Sequence, residues 1–484
     1  MNLDSFLALL PILTLLVVSL WRGVRPAVFS GFALTVLLFF VLDGQIPAMG
    51  ASIATAAVQT VNILMIIFGA LFLYQIMEDH GFIDRIKETF LQIHPDRHVR
   101  LFFLAIFLTA FFESVAGFGT PGAIVPLLLI GMGFSPVLSI AIVLLLNGFF
   151  AVSGAVGVPV SDGLKAPLGL NLEQVGSIYG IAAFGVLVSG IVVVAILYRY
   201  LRKEAGQPIS KWGWVLSGLT LGTYALLAPY TQELTGIVAA SVMGVFAYIF
   251  VFKERRLQLR PWIPYIALVG LLMLPKVVAP LSEFLRWEWG LRDLFGTDIS
   301  ASIRPLQSPL IPFLLSGGLA LLMAGTSRVQ VRPVVGKTIT VFLILFPSLA
   351  ITQLMINSGG EGASMIDFIA GIFVLTGDAF PLLSPFLGAV GAFMTGSTTV
   401  SNMIFGPVQM ASAQQLGLSE TLILGQQLAG ASLGNAVCLF NIIAAGAIAG
   451  VQDFKSVLRK TLVPTMLAAA VVGIMGAVWL SIGS

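Results

Sequence analysis

The chain has 484 residues, 58% of them hydrophobic and only 10% charged, with a formal net charge of +3 and a mean hydropathy of +1.01. Soluble globular domains carry charge on about 25% of their residues, so this composition excludes a soluble enzyme or binding module and places the chain in a bilayer. A transmembrane β-barrel would show ~10-residue alternating segments, whereas the apolar runs here approach the ~20 residues a helix needs to cross ~30 Å of hydrocarbon.

The N-terminus reads Met-Asn-Leu-Asp before an apolar run, without a basic n-region or a small-residue cleavage site, so the first helix is expected to be retained. In chain order the crossings are expected at 5–20, 27–42 and 55–77. An interrupted hairpin follows at 101–131, then a broken helix at 135–157 and crossings at 176–198, 212–229, 233–252, 261–280, 305–326 and 338–357. A second hairpin at 385–415, a second broken helix at 419–450 and a last crossing at 462–481 complete the chain. The fold class is therefore an all-α polytopic membrane protein of about twelve transmembrane helices plus two re-entrant hairpins. Lys and Arg concentrate in six loops: those around Arg22 and Arg25, Arg85 to Arg100, Arg199 to Lys211, Lys253 to Arg260, Arg328 to Lys337, and Lys455 to Lys460. The positive-inside rule assigns these to the cytoplasm, which places both termini outside. Such a distribution follows membrane topology and not nucleic-acid recognition, so no nucleic-acid partner is expected. The single cysteine, Cys438, lies in an apolar stretch and reads as packing.

Gly133-Phe134-Ser135 falls on Gly417-Leu418-Ser419 at an offset of 284 residues, and the two hairpins and the crossings at 55–77 and 339–361 follow the same offset. In the topology above the two hairpins start from opposite sides. The expected organisation is a first inverted repeat at 1–200, a connector helix pair at 201–260 and a second inverted repeat at 261–484. Inverted repeats interrupted by Gly and Pro are characteristic of secondary transporters with substrate near the midplane.

Three glycines and a proline in Glu113-Ser114-Val115-Ala116-Gly117-Phe118-Gly119-Thr120-Pro121-Gly122 oppose a continuous helix. Non-helical backbone at membrane depth survives only buried in protein or lining a wet cavity, so Gly117, Gly119 and Thr120 are candidate binding residues whose freed amides suit a carboxylate. Glu113 is an ionisable group at membrane depth; proton coupling and a structural hydrogen-bonding role both fit it. The second tip, Thr395-Gly396-Ser397-Thr398-Thr399-Val400-Ser401-Asn402, is a neutral cluster. Ser397, Thr398, Thr399, Ser401 and Asn402 offer donors and acceptors for a substrate bearing a carboxylate and a hydroxyl, although small hydroxylated residues also line ordinary helix interfaces. Each hairpin is followed by a broken helix, Ser153-Gly154-Ala155-Val156-Gly157-Val158-Pro159 and Gly430-Ala431-Ser432-Leu433-Gly434-Asn435, which adds Ser153 and Asn435 to the candidates, with Asn147 beside the first break.

Glu78 to Arg100 reads as an amphipathic interfacial helix. His94 and His98 within it are separated by Pro95 and lack further ligands, so no metal is expected. Asp162, Lys165, Glu361, Asp367 and Asp378 read as solvated loop charges. No catalytic, phosphate-loop or dinucleotide motif is present, so neither an enzyme nor a cofactor is implied.

The segments from Phe112 to Pro121, from Gly154 to Pro159, from Pro385 to Phe393 and from Gly396 to Asn402 resemble the L-lactate permease family of bacterial secondary transporters, in order and over most of the chain. The resemblance implies proton-coupled uptake of L-lactate, glycolate or related 2-hydroxy monocarboxylates across the inner membrane. It also implies scaffold and transport domains with paired re-entrant hairpins and an elevator-like movement. One departure is visible: Gly434-Asn435 and Phe440-Asn441-Ile442 stand where the family pattern has Gly-Lys and Pro-Gln-Ser. Sodium coupling, or an ion-conducting subunit of a larger membrane complex, are the competing readings. Partners are therefore a small carboxylate, protons and the lipid bilayer; oligomeric state is not encoded legibly, because an oligomer interface is one more apolar helix face.

Overall fold

A backbone immersed in hydrocarbon must satisfy its own polar groups, and an isolated segment does this only as a helix. The computed structural model of the protein is accordingly almost wholly helical. It describes residues 3–91, 93–117, 120–206, 209–253, 259–285, 287–303, 305–306, 308–360 and 362–483. The helices are α1 (Leu3–Arg22), α2 (Val24–Val41), α3 (Ile46–Asp79), α4 (Phe82–Leu91), α5 (Arg97–Val115), α6 (Thr120–Gly131), α7 (Pro136–Phe150), α8 (Gly154–Val160), the single turn α9 (Ala166–Leu168), α10 (Leu172–Ala205), α11 (Trp212–Thr231) and α12 (Thr235–Phe250). They continue with α13 (Ile263–Val277), α14 (Ala279–Leu285), α15 (Leu310–Ala324), α16 (Val331–Ile356), α17 (Met365–Val374), α18 (Phe380–Thr395), α19 (Thr398–Leu416), α20 (Glu420–Gly434), α21 (Leu439–Ile448) and α22 (Phe454–Gly483). Two short antiparallel strands, β1 (Trp289–Leu291) and β2 (Ala301–Ile303), pair in the loop before α15.

Among the described residues nine helical stretches are long and apolar enough to cross a membrane, accompanied by five shorter apolar helices. The difference from the twelve expected crossings has identifiable sources. The connector helices α11 and α12 pack on each other and count once among the nine, since only the 3₁₀ turn at Gln232–Leu234 interrupts them, while α15, α20 and the apolar parts of α1 and α13 fall short of spanning length. The arms α5 and α18, expected within hairpins, are themselves of spanning length and composition.

The chain divides into two compact units, and neither is contiguous. One comprises Phe6–Gln92 and Arg256–Met365; the other comprises Met1–Ser5, Ile93–Arg255 and Ile366–Ser484. Each therefore draws helices from both halves of the sequence, so the contiguous segments 1–200, 201–260 and 261–484 do not coincide with compact units.

In the first unit α3 packs along α16 and α15, and α2 packs along α16. Asn62 Nδ2 donates to the Ser302 carbonyl at 2.9 Å and Asn357 Nδ2 donates to Ser52 Oγ at 3.0 Å. The apolar face of α4, expected in the lipid interface, is instead packed within this unit: Phe82, Ile83 and Ile86 are buried.

In the second unit α18 and α20 approach until their backbones nearly touch. A Cβ at Gly430 would overlap the Pro385 carbonyl, and one at Gly388 would overlap the Gln427 carbonyl. Small residues permit such approach, and van der Waals contact then holds helices that lipid does not drive together. Helices α18 and α19 fold back on each other about Gly396 (φ 73°): Ser401 Oγ donates to the Gly388 carbonyl at 2.7 Å, and Ser384 meets Gln409 further down. Helices α5 and α6 turn similarly at Gly117 (φ 59°), where α6 packs on α7.

A candidate substrate cavity at two helix breaks

All parts of the candidate site belong to the second unit. Helix α5 carries Glu113 near its C-terminus, and α7 carries Asn147 one turn before its own end. After a 3₁₀ turn at Ala151–Ser153 the chain runs through three consecutive left-handed residues: Ala155 (φ 46°, ψ 50°), Val156 (φ 55°, ψ 40°) and Gly157 (φ 83°, ψ 11°). Two of these are not glycine and one is β-branched, a conformation that persists only where the surroundings enforce it. The surroundings are visible: a Cβ at Gly117 would lie 2.8 Å from the Ala155 Cβ, so the hairpin tip presses on the break. The second tip ends α18 at Gly396 and starts α19 with Ser397 as N-cap, its hydroxyl accepting from Val400 N–H at 3.3 Å. Helix α20 stops at Gly434, and Asn435–Val437 form a 3₁₀ turn before α21.

These four interruptions enclose a cavity of about 40 Å³. Glu113 and Gly117 contribute from the first hairpin, and Asn147, Ala151, Gly154, Ala155 and Pro159 from the first break. Gly396, Ser397, Thr398 and Thr399 come from the second tip, and Asn435 and Asn441 from the second break. Glu113 is 5% exposed and hydrogen-bonds Asn147. Its Oε1 would lie 2.7 Å from a Cβ at Gly154, so that glycine makes room for the carboxyl. Glu113 Oε2 and Asn147 Oδ1 have no hydrogen-bond partner, and neither has Asn435 Oδ1. Buried polar atoms without partners are costly, and three of them here belong to one small cavity. Asn435 Nδ2 donates to Thr398 Oγ1 at 2.7 Å, and Asn441 Nδ2 donates to the Asn435 carbonyl at 3.2 Å. No Lys, Arg or His lines the cavity among the described residues.

Of the residues expected from sequence, Glu113, Gly117, Ser397, Thr398, Thr399 and Asn435 line this cavity. Ser401 and Asn402 do not: they are buried in its wall, Ser401 on the Gly388 carbonyl and Asn402 Nδ2 on the Pro159 carbonyl at 2.8 Å. Ser153 faces the connector helix, bonded through N–H and Oγ to Tyr224 Oη at 3.1 and 2.7 Å. Thr120 is half-buried at the start of α6, outside the lining. Gly119 lies outside the described residues.

Sequence reasoning missed the amides that hold the wall. Gln427 Nε2 donates to Ser401 Oγ and Asn402 Oδ1, both at 3.2 Å, and its Oε1 accepts from Gln409. Gln426 Nε2 bridges the Pro381 and Val472 carbonyls at 3.0 Å. The available signal was their position: amides inside apolar runs are expensive unless bonded.

A helical, multi-span protein whose broken helices and hairpin tips enclose a small polar cavity has the build of a membrane permease. A model of the L-lactate permease family matches residues 4–258 and 298–482, which leaves out only the ends and a segment containing α13, α14 and β1. The L-lactate permease of Escherichia coli K12 is 25% identical over 98% of this chain and 95% of its own. That of Streptococcus iniae is 27% identical over 87% and 94%, and the glycolate permease GlcA of Escherichia coli K12 is 25% identical over 85% and 83%. The chain belongs to the L-lactate permease family, and it is a multi-pass protein of the inner membrane.

Proposed function

We propose that the protein carries L-lactate, or a related small 2-hydroxy monocarboxylate, together with one proton. The observation that carries this reading is Glu113, a buried carboxyl with an unpaired oxygen in a cavity lined by no cationic side chain among the described residues. A substrate carboxylate entering beside an ionised Glu113 would meet a like charge at low dielectric, and protonation of Glu113 removes that repulsion. The substrate anion then finds hydroxyls at Thr398 and Thr399, amides at Asn435 and Asn441, and the first amides of α19 behind Ser397. The N-terminal end of a long helix favours an anion. The names of relatives that carry lactate and glycolate support the substrate class.

In this reading the two halves have opposite orientation in the membrane, with α5–α6 and α18–α19 as re-entrant hairpins. The helices at 82–91, 97–115, 120–131 and 136–150 recur in order at 365–374, 380–395, 398–416 and 420–434, which supports it. All lining residues belong to one compact unit, so the site can be carried as one body.

The test is Glu113→Gln in proteoliposomes. The variant should retain exchange of labelled for unlabelled lactate and lose accumulation driven by a pH gradient. Gradient-driven accumulation at the wild-type level would refute the assignment.

A further inference from the structure

Behind the first helix break, at Ser153 and Gly157, hydroxyls and a second carboxylate crowd the backbone. Tyr224 of α11 is wholly buried, and its Oη is bonded to both the N–H and the Oγ of Ser153. Ser114, the neighbour of Glu113, is wholly buried and its hydroxyl has no hydrogen-bond partner. Both serine hydroxyls converge on one point, the place a Cβ would take at Gly236 of α12: it would overlap Ser114 Oγ and lie 3.1 Å from Ser153 Oγ. Further along the break, a Cβ at Gly157 would overlap the Glu233 side chain and lie 2.7 Å from Tyr179 Oη, which donates to the Gly157 carbonyl at 3.5 Å. Glu233 sits in the turn Gln232–Leu234 that joins α11 to α12, and it is half-buried. Tyr179 is in electrostatic reach of Glu233, Tyr224 and Asp162, and Tyr224 in reach of Glu113.

A purely architectural role would account for the Tyr224–Ser153 bonds, since they pin the break. It leaves unexplained the unpartnered hydroxyl of Ser114 and the unpartnered oxygen of Glu113, both more than nine-tenths buried at one end of this file. Polar buried atoms in want of partners are where bridging water sits. We propose that Tyr179, Tyr224, Ser153 and Ser114 form a relay that passes the coupled proton between Glu233 at the half-exposed turn and Glu113 in the cavity. The inference rests on the reading of Glu113 as the coupling acid. Each hydroxyl accepts a proton on its oxygen while releasing its own to the next group, directly or through water. Only O–H bonds are made and broken, and Glu233 is reprotonated from bulk water.

The experiment uses the full-length protein in proteoliposomes loaded with a pH-sensitive dye, with L-lactate as the probe, and compares Tyr224→Phe, Glu233→Gln and Glu113→Gln. Tyr224→Phe keeps the ring and its packing, which guards against loss of the fold. Lactate-driven proton uptake should slow on the order of tenfold or more in Tyr224→Phe and Glu233→Gln, the scale of a lost proton-transfer group. Exchange of labelled for unlabelled lactate, which needs no net proton movement, should change by less than about twofold. Wild-type proton uptake in both variants, with Glu113→Gln inactive in proton uptake, would overturn the relay alone. Equal loss of exchange and proton uptake would also overturn it, because that is the mark of a structural role. Proton uptake surviving in Glu113→Gln would overturn the coupling assignment itself.

Discussion

Ser432 on α20 donates a hydrogen bond from Oγ to the backbone carbonyl of Gly148 on α7 at 2.7 Å, and the two residues are 284 positions apart. That separation equals the offset at which the two halves of the sequence are proposed to align. Helices α7 and α20 have the same length, 15 residues each, and their ends share the same spacing. A contact at that offset is what two repeats would make where they cross a common two-fold axis, which supports the proposed pairing of the halves.

Ser432→Ala should lower stability by about 1 kcal/mol, the net worth of one buried hydrogen bond. Thermal unfolding in detergent checks this, and an unchanged midpoint would mean that the bond contributes nothing beyond packing.

Gly430→Ala should be far more damaging, because its Cβ would overlap the Pro385 carbonyl, a backbone atom that cannot step aside. Overpacking costs roughly 1–3 kcal/mol and sometimes more. Gly371 of α17, where no atom lies within 4 Å of an added Cβ, is the matched control, and Gly371→Ala should be tolerated.

Gln427→Leu should destabilise by about 1–3 kcal/mol, because Gln409 loses an acceptor in a wholly buried wall while Ser401 and Asn402 lose a donor. The same unfolding assay reads it, alongside Gln414→Leu, which removes an exposed bond to Glu420 and should cost little.

Gly157→Ala and Gly169→Ala separate strain from crowding. Both glycines have positive φ, 83° and 65°, and each alanine should lose roughly 1–2 kcal/mol for the left-handed backbone. Only at Gly157 would the new Cβ strike Glu233, so its cost should exceed that of Gly169→Ala; equal costs would mean that the turn at Glu233 yields freely.

The helix breaks and the turns at Gly117 and Gly396 are legible because Gly, Pro and an ionisable residue are conspicuous in an apolar chain, and Glu113, Gly154 and Ser397 stand out that way. Which face of the second tip meets the cavity was not legible. Ser401 and Asn402 follow Thr398 and Thr399 on the same helix, and only tertiary packing turns the first pair into the wall. The left-handed run at Ala155 and Val156 could not be read either, since neither residue favours positive φ and the neighbours impose it. Tyr224 lies more than 70 residues from Ser153 in sequence, in a helix that reads as a simple connector. The interleaved compact units escaped for the same reason: periodicity reports that a helix has an apolar face, not which partner covers it.

The central claim is that one proton accompanies each substrate anion, so that the loaded and empty cavity differ by a neutral pair. The most direct measurement is uptake of labelled L-lactate into proteoliposomes in sodium-free buffer, comparing an imposed inward proton gradient with an imposed membrane potential at equal pH. The account predicts accumulation with the gradient, its abolition by a protonophore, and none with the potential alone. Accumulation that needs sodium, or that follows the potential at equal pH, would contradict it.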